Sequence, residues 1–280
     1  MFTMTLRKPG LVAATAVVLA LTATACGGGG DSGSDGEKIN IGIKFDQPGL
    51  GLKTQDGEYT GFDVDVAKYV AKELGYDEKD IVWKEAPSGE RENMIANGDV
   101  KFIVATYSIT DERKERVDFA GPYFLAHQDF LVRADDDSTW NKDELNTKEL
   151  KLCSVTGSTS AQNVKNKFAQ EADLQEYGGY SECLTGLENE AVDALTTDDS
   201  ILAGYAAQKE HQGKFKLAGL SLSDESYGIG LKKGDTELQK QINDALAKMV
   251  EDGSWEKAAD KHFGPADYDY EPAPEITEKS

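Results

Sequence analysis

The sequence predicts an α/β fold in which a mostly parallel sheet is covered by helices. Two observations predict it: strand-like and helix-like stretches alternate, and they do so in two series, one beginning at Ile39 and one at Leu150. In the first series Ile39-Asn40-Ile41-Gly42-Ile43 places apolar residues at every second position, as a half-buried strand does. Asp56-Gly57 marks a turn, and after Gly61 the residues Phe62, Val66, Val70 and Leu74 recur every four positions on one helix face, with Gly75 as its cap. Residues 81–84 read as a strand, a helix ends before Asn97-Gly98, and 102–105 read as a further strand. Phe130-Leu131-Val132 is another strand, after which the acidic stretch 134–139 breaks the pattern. The second series runs strand 150–155, a helix opened by Gly157-Ser158-Thr159-Ser160, strand 174–177, helix 182–189 and strand 192–195. A late strand, 227–231, precedes the helix Thr236–Glu251 and a last helix through Phe263. Residues 265–280, with Pro272 and Pro274, read as a loose tail.

The N-terminus predicts the compartment. Arg7 and Lys8 precede an uncharged run that ends in Ala23-Thr24-Ala25-Cys26, so residues 1–25 read as a secretory signal peptide, too short to span a bilayer. A Cys at the cut resembles a lipoprotein signal, in which Cys26 is diacylated, although Ala23 stands where a Leu is usual; a secreted protein with a stray Cys is the alternative. Two acyl chains anchor stably where one binds marginally. Residues 26–37, rich in Gly, Ser and Asp, then form a flexible tether. The expected place is the extracellular face of the cell membrane.

Cleavage leaves 28 of the 30 basic side chains against all 51 acidic ones, a net of −23, a surface that repels nucleic acid. About 240 residues of folded chain suffice for one or two domains. Cys153 and Cys183 face an oxidising exterior, and a bridge between them is predicted, worth roughly 3–4 kcal/mol by loop closure; two buried free thiols are the alternative.

The most informative stretch is 105–124, ATYSITDERKERVDFAGPYF. A strand end opens into hydroxyls at Thr106, Ser108 and Thr110, followed by Arg113 and a polar turn ending in Pro122-Tyr123. Hydroxyls, free backbone groups, a helix N-terminus and an Arg suit a small anion such as a carboxylate; an ordinary strand, turn and surface helix is the alternative. The stretch resembles the solute-binding proteins of bacterial ABC importers, in the family that captures polar amino acids (solute-binding family 3). Residues 61–75 match that family's signature, and the likeness covers roughly 39–264.

The resemblance implies a two-lobed periplasmic-binding-protein-like fold of type II with two hinge strands, near 130–133 and 223–227. Lobe 1 is then 38–131 plus 225–264 and lobe 2 is 132–224. It also implies site residues. Thr106, Tyr107 and Ser108 lie where relatives contact the amino-acid backbone, and Arg113 matches the carboxylate clamp. Ser158 and Thr159 lie where backbone N–H groups complete the carboxylate site, and Asp198 matches the acidic partner of the ammonium group. Ser158, Thr159 and Asp198 could each instead only cap a helix. Lys44 and Arg91 stand at positions that line the pocket in relatives, and the segment Lys44-Phe45-Asp46-Gln47-Pro48-Gly49-Leu50-Gly51 resembles glutamate-binding lipoproteins of actinobacteria. Three cations against Asp198 favour an acidic side chain, glutamate before aspartate or glutamine. If Lys44 and Arg91 are solvated surface cations, glutamine or a broad polar range follows. Relatives place an aromatic after the first strand to cover the ligand; here Gln47 is at that spot and Phe45 and Tyr107 are the nearest rings.

The expected partners are a free amino acid, the transmembrane subunits of an ABC permease and, through the anchor, the membrane; a monomer without cofactor or metal is expected. Enzymes such as amino-acid-pathway dehydratases resemble this family in fold, but His127, His211 and His262 are scattered and no Ser-His-Asp arrangement is evident. A receptor reporting to a sensor is the other alternative.

Overall fold

The computed structural model describes residues 37–147 and 149–279, so the signal segment 1–25, Cys26 and nearly all of the tether lie outside the described residues. The chain opens with β1 (Ile39–Ile43) and a small hairpin sheet of β2 (Asp46–Gln47), β3 (Gly51–Lys53) and β4 (Tyr59–Thr60). Then come α1 (Phe62–Glu73), β5 (Ile81–Glu85), α2 (Arg91–Asn97), β6 (Phe102–Ile103), α3 (Asp111–Lys114) and the long β7 (Val117–Arg133). β8 (Lys151–Val155), α4 (Thr159–Asn163), β9 (Asp173–Tyr177), α5 (Tyr180–Glu188), β10 (Ala194–Asp198), α6 (Asp199–Ala206) and β11 (Phe215–Leu217) follow. β12 (Asp224–Lys232), α7 (Thr236–Glu251) and α8 (Ser254–Phe263) complete the series.

The main sheet runs β5-β1-β6-β12-β7-β10-β8-β9, with β11 also on β7. β1 is parallel to β5 and β6, and β8 is parallel to β9 and β10, as βα alternation requires. The antiparallel pairings gather at β7 and β12, which join the two parallel groups into two lobes. β7 pairs with β12 from Val117 to His127 and with β10 and β11 from Gln128 onward, so its partner changes before 130–133, where the bend was expected.

Two stretches differ from their sequence reading. Residues 117–124 are strand, not a polar turn. Gly121 and Pro122 read as breakers, but the register with β12 skips from Ala120–Ile229 to Phe124–Tyr227, so Pro122 sits at a bulge that asks it for no ladder bond. Residues 265–279 are not loose. The backbone N–H groups of Thr277 and Glu278 bond to Gly121 O, Asn243 donates to Glu278 O, and Tyr268, Tyr270 and Ile276 pack on the core.

The expected face of α1 is the buried one. Phe62 is fully buried, its ring centroid 5.3 Å from Phe124, 5.6 Å from Trp255 and 5.3 Å from Phe263, which ties α1 to β7 and α8. A disulfide joins Cys153 on β8 to Cys183 on α5 inside the second lobe. No helix among the described residues is long and apolar enough to cross a membrane.

Candidate functional site

The site grows from the C-terminal end of β6. Thr106 adopts a left-handed φ of 45°, and its N–H donates to Asp63 Oδ2 at 2.9 Å. Asp63 also accepts from the Tyr123 hydroxyl at 2.8 Å; burial pushes this carboxyl up to about 6. A buried carboxylate on α1 therefore holds the turn that presents Thr106 and Ser108. The Thr106 hydroxyl lies 3.1 Å from Gln47 Oε1, while Gln47 Nε2 is buried and has no protein partner among the described residues.

Three cations converge behind this turn, and none is a solvated surface group. Lys44 is 5 % exposed and donates to Ser88 Oγ at 2.8 Å. Arg91, 2 % exposed, donates to Ser88 O, Ala105 O and Thr106 O. Arg113, 7 % exposed, donates to Ser108 O at 2.8 Å and across the cleft to Gly157 O at 3.1 Å. The Tyr107 ring carries both guanidinium groups, 4.1 Å from Arg91 and 5.1 Å from Arg113, while its hydroxyl donates to Glu92 Oε1. That ring packs 4.8 Å from Phe119 in a core cluster, so Tyr107 is a platform under the cations and its ring is committed to the core. Phe45 instead lines a cavity of about 370 Å³ beside Lys44, together with Asp46, Glu85, Gly179 and Glu182.

The acceptors around these cations are mostly carbonyls. Glu92, 3.4 Å from Arg113 Nε, is the one carboxylate in an ion pair with them among the described residues. The electrostatics show the imbalance. Burial, then the charge of Arg91, pulls the Lys44 ammonium from its ordinary 10.5 down to about 7. Burial, then Arg113, pulls Arg91 down to about 10. At this pole the three cations outnumber the one carboxylate in an ion pair with them among the described residues, while Asp46 and Glu85 act on Lys44 from farther off.

The second lobe supplies the opposite pole. Ser158 caps α4 by accepting from Ala161 N at 3.0 Å, so the capping reading of Ser158 describes what its side chain does here. Thr159 Oγ1 lies 3.3 Å from Ser108 Oγ, joining the lobes. Gly157, at a φ of 75°, passes so close to Gly89 that a Cβ would stand 2.6 Å from its Cα. Asp198 occupies the N-cap of α6 but makes no capping bond. Its carboxyl instead accepts from Tyr227 OH at 2.5 Å and Ser160 Oγ at 3.4 Å. Burial, then the neighbouring charge of Glu225, raises Asp198 to about 8. This pole lacks positive charge.

Eight of the nine candidate residues are thus buried, and Thr159 is half-buried, around one closed junction linked from Arg113 through Ser108, Thr159 and Ser160 to Asp198. Gln47, Asp46, Glu92, Tyr227 and Glu225 join them without having been singled out for the site. Only Gln47 carried a sequence signal, a polar residue where relatives place a ring. Among the described residues no cluster of His, Cys, Asp and Glu is arranged to hold a metal.

The sequence matches the family described as bacterial extracellular solute-binding proteins, family 3, over residues 39–265. It is 46 % identical to the glutamate-binding protein GluB of Corynebacterium efficiens over 91 % of this chain and 90 % of that protein. It is 43 % identical to the ABC transporter glutamine-binding protein GlnH of Bacillus subtilis, over 80 % of each chain. Among solved structures, an ancestral arginine-binding protein bound to glutamine superposes with a TM-score of 0.74 at 34 % identity, covering 81 % of this chain and 98 % of that one.

Proposed function

Because this chain belongs to the bacterial extracellular solute-binding proteins of family 3, we propose that it captures glutamate between its lobes and hands it to an ABC permease. One observation carries the choice of ligand: Lys44, Arg91 and Arg113 are buried together, and among the described residues Glu92 is the one carboxylate in an ion pair with them. An incoming dicarboxylate neutralises that excess, whereas glutamine leaves a buried cation unmatched, a loss on the order of 3–5 kcal/mol. Arg113 takes the α-carboxylate, with Thr106, Ser108, Ser158 and Thr159 around it. Asp198 takes the α-ammonium group, and Lys44 and Arg91 take the side-chain carboxylate over the Tyr107 platform.

Capture proceeds by closure about β7 and β12, with 38–131 plus 225–264 as one lobe and 132–224 as the other. Closure removes water and so strengthens every charged contact. Cys26 carries the lipid anchor that keeps the protein at the outer face of the membrane. The name of the Bacillus relative supports glutamine as the second reading.

Isothermal calorimetry of the mature protein with glutamate, aspartate, glutamine and arginine tests this. Glutamate should bind at least about a hundredfold more tightly than glutamine. Tighter binding of glutamine would replace the first reading by the second.

A further inference from the structure

The hairpin after β1 reaches across the cleft. Asp46 Oδ2 accepts from the backbone N–H of Tyr180, at the start of α5, at 3.1 Å. The Tyr205 hydroxyl on α6 donates to Asp46 O at 2.5 Å and lies 3.4 Å from Oδ2. Two glycines make room for this contact. A Cβ on Gly179 would stand 2.7 Å from Asp46 Oδ2, and one on Gly204 would stand 2.1 Å from Pro48 O. Asp46 and Pro48 belong to the first lobe and the four residues they meet (Tyr180, Tyr205, Gly179 and Gly204) to the second, yet none of them is among the residues assigned to the amino acid.

We propose that Asp46 is a latch, a positioning residue that holds the lobes shut by bonding Tyr180 and Tyr205, so that it sets how long a ligand stays without touching it. The inference rests on the cleft being an amino-acid site. The physical reason is additive. A carboxylate at a helix N-terminus satisfies an N–H that otherwise has no partner in the helix, and the Tyr205 hydroxyl finds an acceptor only on the other lobe. Both bonds exist in the closed arrangement and are exchanged for water in an open one. Their free energy therefore adds to the closed state alone and appears in ligand release rather than capture. Glycine at 204 is needed because the Pro48 carbonyl occupies the space of a side chain. An alanine there leaves α6 intact, since Ala favours helix over Gly, while it obstructs approach of the hairpin.

The test uses the mature protein in stopped-flow fluorescence for glutamate release and small-angle scattering for shape. Asp46→Ala, which loses the Oδ2 that Tyr180 bonds and keeps the backbone O that Tyr205 bonds, should release glutamate about tenfold faster. Asp46→Asn, which keeps an acceptor for Tyr180, should restore most of the slow release. Gly204→Ala should keep an enlarged radius of gyration even at saturating glutamate. Wild-type release from Asp46→Ala, together with full compaction of Gly204→Ala, overturns the latch. A wild-type protein that binds no amino acid overturns the functional reading instead. In that case the ligand-free radii of wild type and Asp46→Ala decide the latch: a larger variant supports it and equal radii overturn it.

Discussion

Tyr227 donates a 2.5 Å hydrogen bond to Asp198 Oδ2, so a strand shared by both lobes grips the acid at the end of β10. With burial and Glu225 raising it to about 8, Asp198 keeps its proton at neutral pH, whereas in the unfolded chain it ionises near pH 4. A raised folded-state value stabilises most below the unfolded one and is lost as pH rises through about 8. Lys44 has the opposite linkage. Its value is depressed to about 7, so the cost of burying its charge is full below that pH and is relieved as pH rises toward 10.5.

Glutamate binding should therefore exchange protons in both directions. At about pH 6 the incoming ammonium displaces the proton of Asp198, and binding releases protons. At about pH 8.5 the side-chain carboxylate draws a proton onto neutral Lys44, and binding takes protons up. Calorimetry in buffers of different ionisation enthalpy measures the exchange. Heats independent of buffer at both pH values would refute the roles given to these two residues.

Replacing Lys44 by Met removes a buried cation that makes no ion pair among the described residues. The ligand-free protein should melt higher at pH 6, where the lysine is most costly, and the gain should shrink by pH 9. Glutamate affinity should fall about a hundredfold or more and glutamine affinity much less. Thermal melts at the two pH values and two binding titrations check all three statements.

Arg113→Lys is the informative change at the clamp. The guanidinium bonds Ser108 O and Gly157 O from separate nitrogens, one on each side of the cleft. A lysine offers a single point and cannot reproduce the fork. Affinity for glutamate, aspartate and glutamine should fall together by about tenfold or more, with Arg113→Ala falling further. A lysine variant that lost only glutamate would move the α-carboxylate elsewhere.

Asp63→Ala strands the Thr106 N–H and the Tyr123 hydroxyl, both buried. Each unsatisfied group costs about 1–3 kcal/mol, so denaturant unfolding should show a loss of a few kcal/mol. Binding should weaken as well, because Thr106 loses the bond that holds its left-handed turn. An unaltered midpoint would remove Asp63 from this account.

Periodicity made much of this fold legible. The face of α1 through Phe62, Val66 and Val70 and the alternation of Ile39, Ile41 and Ile43 in β1 are local patterns, and those residues are all buried, together with Gly42, Asp63 and Val64 that the patterns did not mark. Helix α6 was legible only through the possible cap at Asp198, because Ser200, Ile201, Leu202, Ala203 and Tyr205 are all buried and leave little polar face to mark a period. The first half of β7 was hidden by Gly121-Pro122, whose harmlessness depends on a bulge of β7 against a partner strand about a hundred residues away. The tail was misread for the same reason, since the groups that hold Thr277 and Glu278 lie on β7 and α7. At the site, residue types and order pointed to Lys44, Arg91 and Arg113. The direction of the Tyr107 ring and the reach of Asp46 to Tyr205 come from packing between lobes, which no local pattern encodes.

β7 and β12 are bonded to each other through the crossing between the lobes, from Val117–Lys232 to His127–Asp224. Two such strands act as a ribbon, which flexes readily out of its own plane and is stiff within it. The closure proposed for the two lobes would thereby be guided along a single angle. A pair of dyes set across the mouth would then report occupancy as a change in one coordinate, the property that a reagentless optical sensor for its solute requires.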